Sequence, residues 1–478
     1  MKAAVVGAGW AGLAAATALR EAGADVTVYE SGHTPGGRAR RVPHPPHDEG
    51  AAAFDGPLDN GQHILLGAYT DTLALMRRLG RDPEALFLRL PLCMASLDGA
   101  FRLAAPRLPA PWHAAVALLR ARGLSWRDRL ASLRLMRGLR NANWQVPAGE
   151  TVGGLMRRHG QPRGAVRLLW EPLCLAALNT PVEQACAQLY ARVLRDSLGG
   201  PRPATDLLLP RTDLSALWPD AAAAGCRMRY GHAVRAVAPG TDGISIDGER
   251  YDAAVITVPP QSAARLLGAG PARELAAELD DLPHAPIATL NLKLRAPWPL
   301  PYPMMMLADE PARGYHGQWI FDRTALLGRD QTGALSLAAL QGADAPPTTD
   351  APKGAGAPRT ANAAGRAGAD ITIVVSAAMA MAGQDRATAI GALLAQVREQ
   401  ASRAGLPPMP AVAASALLID KRATFLAVPG LRRPAQHTVW PTLALAGDWT
   451  DTGYPGVLEG AVRSGLAAAA AILEQRRG

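Results

Sequence analysis

Aromatic side chains are scarce in this chain: Phe, Trp and Tyr together make up 5% of its 478 residues. Cysteine is scarcer, with only Cys93, Cys174, Cys186 and Cys226, and no C-x-x-C pair among them. That excludes a disulfide framework and a thiolate metal site, and fits reduced, mostly buried thiols of a cytoplasmic protein. No metal is expected. Acidic residues are outnumbered, 41 against 50 Lys and Arg, for a net charge of +9. Such an excess suits nucleic acid or an anionic membrane surface. No nucleic-acid-binding motif accompanies it, so no nucleic-acid partner is expected. Long apolar runs are missing too: none approaches the roughly 20 residues that span a bilayer, and the C-terminal alanine run ends in Glu474-Gln475-Arg476-Arg477. No secretory leader is expected, because an apolar strand already begins at the first residues. The chain exceeds one compact core, so two domains are expected.

Glycine is what the chain places with purpose. Gly7-Ala8-Gly9-Trp10-Ala11-Gly12 follows the apolar run Ala3 to Val6, which reads as a strand buried on both faces of a parallel sheet. Gly7 permits a tight turn, Gly9 lets backbone approach a pyrophosphate, and Gly12 allows close helix–sheet packing. A helix from Leu13 to Ala22 then points its positive end at the phosphates, with Gly23 as its stop. The strand Asp25 to Tyr29 delivers Glu30 where a carboxylate accepts hydrogen bonds from the adenosine ribose. Strand, turn, helix, strand and acid in this order predict a dinucleotide site.

Downstream, the pattern predicts a Rossmann-type α/β cofactor domain built from residues 1–69, 205–269 and 425–478. Its middle part includes strands over Ala233 to Val237, Ile244 to Ile246 and Ala253 to Val258, and its last part a strand over Leu443 to Ala446 and a helix from about Gly456 to Glu474. Inserted between these parts is a mixed α+β substrate domain. Residues 70–204 read as mostly helical, and 270–424 as strands, such as Ile287 to Leu294 and Ile371 to Val375, with a helix over Ala387 to Ala401. The stretch 342–369 holds Ala, Pro, Gly and Thr with little to bury, and reads as a flexible loop.

Several runs carry a resemblance. Gly36-Gly37-Arg38 and the closing Gly447-Asp448-Trp449 with Glu459-Gly460-Ala461 are similar to the FAD segments of the flavin amine oxidase and phytoene desaturase superfamily. Within it, Leu58 to Tyr69, Trp170 to Pro181, Ala191 to Leu198, Lys421 to Phe425 and Ala446 to Gly453 resemble the bacterial squalene-associated FAD-dependent desaturases, the hydroxysqualene dehydroxylases. Tyr454 to Leu458 departs from that family's usual run, as does the 342–369 insertion.

The resemblance implies an enzyme that replaces the hydroxyl of hydroxysqualene by hydride in squalene and hopanoid biosynthesis, downstream of squalene or phytoene synthase-like enzymes. It implies FAD, with Arg38 near the pyrophosphate and inner flavin, Asp448 at the ribityl or phosphate region, and Glu459, Gly460 and Ala461 opening a helix under the flavin. Gly61, Gln62 and Val234 complete the cofactor set. No cysteine follows Cys226, so the C-terminal thioether of some amine oxidases has no candidate and the flavin is expected to be non-covalent.

Breaking a C–O bond needs an acid at the leaving oxygen. His63, in the stretch leading to the flavin ring, is one candidate; its alternative is a histidine satisfied by backbone. Glu171, among apolar neighbours, is the other, with its pKa raised by burial; a salt bridge or helix-end contact is its alternative. Asp59 and Asp451 stand behind them. A long-chain isoprenoid also needs an apolar tunnel that excludes water.

Ser125-Trp126-Arg127-Asp128 reads as a capping box, with Trp126, Leu130, Leu133 and Met136 on one helical face among six arginines. The helix either rests peripherally on the anionic inner membrane or packs as a cap with solvated arginines, and charge runs of this kind favour the second reading. Two other functions stay open: a carotenoid-type desaturase or amine oxidase, and a non-enzymatic lipid carrier on the same fold.

Overall fold

The computed structural model describes residues 1–42, 54, 58–268, 272–328 and 368–475. A five-stranded parallel sheet runs in the order Arg227–Arg229, Asp25–Tyr29, Lys2–Val6, Ala253–Ile256, Leu443–Leu445. Its side chains alternate between two cores, as strand geometry requires. Ala3, Val5, Ala253 and Val255 meet the helices Trp10–Glu21 and Leu458–Gln475 on one face. Ala4, Val6, Ala254 and Ile256 face the three-stranded meander Val237–Pro239, Ile244–Ile246 and Glu249–Tyr251 on the other. The fold is thus of the α/β class expected.

A second, antiparallel sheet has the order Met304–Met306, Trp319–Asp322, Asp370–Val375, His284–Leu294, Val412–Phe425. Ala288, Leu290, Leu292 and Ile373 turn to the helix Arg386–Arg403. Trp319, Phe321, Met304 and Val374 turn the other way, and that face becomes the wall of a cavity. Helices between Thr70 and Ser197, among them Trp126–Asn141, Glu171–Leu178 and Ala187–Ser197, close it.

One expectation needs correction, one needs a supplement and one falls almost wholly outside the described residues. Residues 70–204 are mostly helical as expected, with the short strands Phe87–Leu90, Cys93–Ala95 and Arg102–Ala104 added. The first pairs with Leu207–Pro210 far along the chain, a partner that no local pattern shows. The stretch Ala233 to Val237 is strand only from Val237. Before it, the Asp247 carboxylate takes the Arg235 and Ala236 N–H groups, each at 2.9 Å, and so replaces the ladder. Finally, the expected loop 342–369 lies outside the described residues except for Gly368 and Ala369, and the carbonyl of Ala369 accepts from Leu294 N at 2.8 Å. Among the described residues no helix is long and apolar enough to cross a membrane.

Candidate functional site

The first turn after the strand Lys2–Val6 opens a cavity of about 900 Å³. Gly7 sits at φ +108°, and a Cβ there would lie 2.7 Å from the Thr257 hydroxyl. Gly9 is different, because a Cβ built on it meets nothing nearer than Gly37 Cα at 3.8 Å. The bare backbone of Gly9 therefore faces open space, a cradle that any side chain would fill. Gly36 N donates to Ala8 O at 2.8 Å, binding the second glycine loop to the first. The helix Trp10–Glu21 begins with no side-chain cap, so its first N–H groups and positive end are left for an anion. The Glu30 carboxylate, on the same wall, accepts from Ala8 N at 2.8 Å and Gly32 N at 2.7 Å. A pyrophosphate and ribose fit this donor and acceptor set.

Farther in, Arg38 ties the two ends of the chain together. Its guanidinium pairs with the buried Asp448 carboxylate and donates to Ala423 O at 2.6 Å. Gly447 N donates to Ser464 Oγ at 2.8 Å, which anchors the Asp448 loop on the last helix. Gly7, Gly9, Trp10, Ala11, Glu30, Gly36, Gly37, Arg38, Gly61, Gln62, Val234, Gly447, Asp448 and Ala461 all line the cavity. Those residues would hold a dinucleotide flavin, and no cysteine lies among them.

Beyond the glycine loops the wall turns apolar. Met94, Leu173, Leu194, Met304, Trp319 and Phe321 converge from both inserted segments. Polar groups are interspersed there, among them Asn179, Tyr190, Thr289 and Ser376. His63 Nε2 and Thr289 Oγ1 lie 3.5 and 3.8 Å from the point where a Cβ on Gly61 would sit. Burial and the nearby Arg38 guanidinium lower the His63 pKa to about 4, so its ring is neutral at pH 7. A second polar spot joins Asp196 to Tyr454, whose hydroxyl donates to that carboxylate. Sequence reasoning missed Thr289 and Asp196, and met Tyr454 only as the first residue of the run that departs from the family's pattern. The signal for Thr289 is alternation, since it shares a strand face with Asn291 and Lys293 opposite Ala288, Leu290 and Leu292, and Asp196 and Tyr454 stand 258 residues apart.

Four of the expected site residues are not on the wall. Gly12 packs beneath it, where a Cβ would strike the Gly7 carbonyl, in keeping with its expected packing role. Glu171 opens the helix Glu171–Leu178 but does not line the cavity, although Leu173 and Leu175 do. Its pKa is raised by burial and by the like charges of Asp309 and Glu183. Glu459 and Gly460 also lie off the wall. Glu459 is fully buried, and its carboxylate accepts from Asp71 N and Thr72 N at 3.0 Å and from Thr72 Oγ1 at 2.6 Å. It caps the helix Thr70–Arg78, which has no side-chain cap of its own. Of the reserve acids, Asp59 is buried and paired with Arg323 at 3.0 Å, and Asp451 is exposed and paired with Arg433 at 3.3 Å.

Residues 10–325 and 421–473 match the model of a family described as flavin containing amine oxidoreductase. The chain is 28% identical to a hydroxysqualene dehydroxylase of Rhodopseudomonas palustris, over 99% of this chain and 98% of that one. It is 25% identical to a hydroxysqualene dehydroxylase of Zymomonas mobilis, over 97% of both. In structure it is similar to cyclohexylamine oxidase from Brevibacterium oxydans, with a TM-score of 0.63, 17% identity, and coverage of 100% of this chain and 99% of that one. That likeness shows the fold.

Proposed function

The chain belongs to the flavin containing amine oxidoreductase family, a flavin-dependent oxidoreductase, and from that premise we propose that it is an FAD-dependent hydroxysqualene dehydroxylase. One observation supports this above the rest: a single cavity runs from a dinucleotide-shaped glycine cradle to a chamber walled by Met94, Leu173, Leu194, Met304, Trp319 and Phe321. The relatives named for this activity cover nearly the whole chain. In the proposed reaction the C–O bond of the substrate breaks, the oxygen leaves as water with one added proton, and hydride takes its place on carbon. Reduced FAD, when bound there without a covalent link, would supply the hydride, and its second ring hydrogen would balance the proton taken up by the leaving oxygen.

The chain's own residues do the rest. Glu30 and the first turn of the helix Trp10–Glu21 hold the ribose and phosphates, and Arg38 with Asp448 fixes the inner end. The apolar wall binds the isoprenoid tail and excludes water, which would otherwise recapture a developing carbocation as alcohol. His63 and Thr289 supply hydrogen-bond partners for one hydroxyl in that wall. A neutral His63 orients the leaving oxygen and does not act as a charged acid at pH 7.

Reduced protein mixed anaerobically with hydroxysqualene tests the proposal. Squalene should form in step with flavin reoxidation. Absence of both would overturn it, and reduction of the oxidised flavin by a polyene would mark a desaturase instead. In the same assay His63→Leu should slow reoxidation by about 10²-fold or more, the scale of catalytic proton and hydrogen-bond contributions, while His63→Gln retains most of the rate.

A further inference from the structure

We infer that the helical hairpin Trp112–Arg120 and Trp126–Asn141, with the loop that precedes it, is a docking surface for an anionic lipid bilayer. Among the described residues the large apolar side chains left exposed are few, and four of them crowd into this segment: Leu108, Trp112, Trp126 and Leu130. Trp112 and Trp126 are 63% and 65% exposed, well beyond what ordinary surface scatter requires. The loop leading in, Leu108-Pro109-Ala110-Pro111, is exposed along its whole length and carries no charge.

Helix Trp126–Asn141 explains why these groups stay outside. Its buried side is Asp128, Ala131, Ser132, Leu135 and Leu139. The apolar face expected from the sequence is split, with Leu133 and Met136 half-buried against the core while Trp126 and Leu130 stand in solvent. One turn on, Arg134 and Arg137 continue the same exposed stripe. The indole of Trp126 is also held in place. Arg129 lies over its ring at 4.7 Å and donates to Leu119 O at 2.8 Å and Leu124 O at 3.1 Å, locking the corner of the hairpin.

Charge selects the partner. Residues 107–140 hold eight arginines and one acidic residue, so they carry seven of the chain's nine net positive charges. The one acid, Asp128, is buried and already accepts from Ser125 N at 2.9 Å and Ala165 N at 3.2 Å. Among the described residues Arg120, Arg127, Arg134, Arg137 and Arg140 form no ion pair, and all are exposed. Exposed tryptophan and leucine ringed by unneutralised arginine is the pattern of an interfacial helix on anionic headgroups. Nucleic acid would use the arginines and leave the Leu108–Pro111 loop without a role. The patch also adjoins the chamber: strand Arg102–Ala104 pairs with Cys93–Ala95, whose Met94 lines the cavity. None of this depends on which lipid the enzyme transforms.

Sedimentation of the flavin-loaded full chain with vesicles decides the matter. Phosphatidylcholine vesicles containing phosphatidylglycerol should carry the protein down, and pure phosphatidylcholine vesicles should carry down several-fold less. Raising the salt should weaken binding by screening the arginines. Trp126→Ser with Leu130→Ser, and separately Arg134→Glu with Arg137→Glu, should each lower partitioning by about tenfold, the scale of losing one or two such anchors. Flavin content should not change, and the unfolding temperature should fall at most slightly, by the exposed contact between Trp126 and Arg129. No binding to the anionic vesicles, or binding by both double variants equal to that of the wild type, would overturn the inference. So would a single-stranded oligonucleotide that displaces the protein from vesicles, which would make the patch a nucleic-acid surface.

Discussion

His63 shows how one side chain changes meaning once its surroundings are known. In the sequence it is a histidine near a flavin segment, able to serve as an acid. In the fold, burial and then the Arg38 charge lower its pKa to about 4 from the ordinary 6.5. Between those two values the unfolded chain binds the proton and the folded chain does not, so stability rises with pH through that window. Acidification from pH 6.5 to 4 should therefore cost up to about 3 kcal/mol at this site, because each tenfold change in proton affinity is worth about 1.4 kcal/mol. Urea midpoints at pH 7 and pH 4.5 check this: His63→Gln should lose less stability on acidification than the wild type. Equal losses would mean that the ring is not held as a neutral group. Glu171 carries the opposite lesson, because its raised pKa fits an acid and its place outside the cavity lining does not.

At the scale of the element, Glu459 stands at the start of one helix and serves another. Helix Thr70–Arg78 begins at Tyr69 with no side-chain cap, and the Glu459 carboxylate reaches across from the helix Leu458–Gln475 to take its first N–H groups. Arg463 Nε, one turn along, donates to the same carboxylate at 3.0 Å. Glu459→Ala would leave buried donors unpaired in a dry site, at a cost of about 3 kcal/mol. Chemical denaturation should show that loss, while flavin affinity of the folded fraction stays near that of the wild type. Weak flavin binding with unchanged stability would return Glu459 to the flavin. The helix Trp126–Asn141 is the contrary case, since its capping box was legible from four adjacent residues: Ser125 Oγ accepts from Asp128 N at 3.2 Å and Asp128 from Ser125 N at 2.9 Å.

Across the whole molecule, stability and cofactor site depend on the first and last helices meeting. Gly465, in the last helix, lies so close to the first that a Cβ would strike the Ala11 carbonyl and sit 3.0 Å from Ala14 Cβ. Gly391, in the exposed face of helix Arg386–Arg403, has open space where its Cβ would be. The same substitution should thus act with opposite sign. Gly391→Ala should stabilise by about 0.5–1 kcal/mol through helix propensity. Gly465→Ala should destabilise by about 1–3 kcal/mol through overpacking and lower flavin content, since Ala11 lines the cavity. Thermal unfolding of the two variants tests this, and a neutral Gly465→Ala would show that the helices can separate there without loss.

What the sequence determined by itself is the cofactor half. The strand, turn, helix, strand and acid up to Glu30 are encoded by near neighbours, and the structure keeps that order. The chain's return to the same site was legible as well, through Gly447 and Asp448. What only the tertiary structure decided are properties that belong to pairs of distant residues. The Glu459 carboxylate caps a second helix because Thr70–Arg78 arrives uncapped beside it. Asp247 draws the backbone around Val234 out of a strand. Asp196 finds Tyr454, and Trp126 is left in solvent while Met136, on the same helical face, is half-buried. Helical and strand periodicity state which side chains share a face, whereas burial, charge state and cavity wall depend on what that face meets.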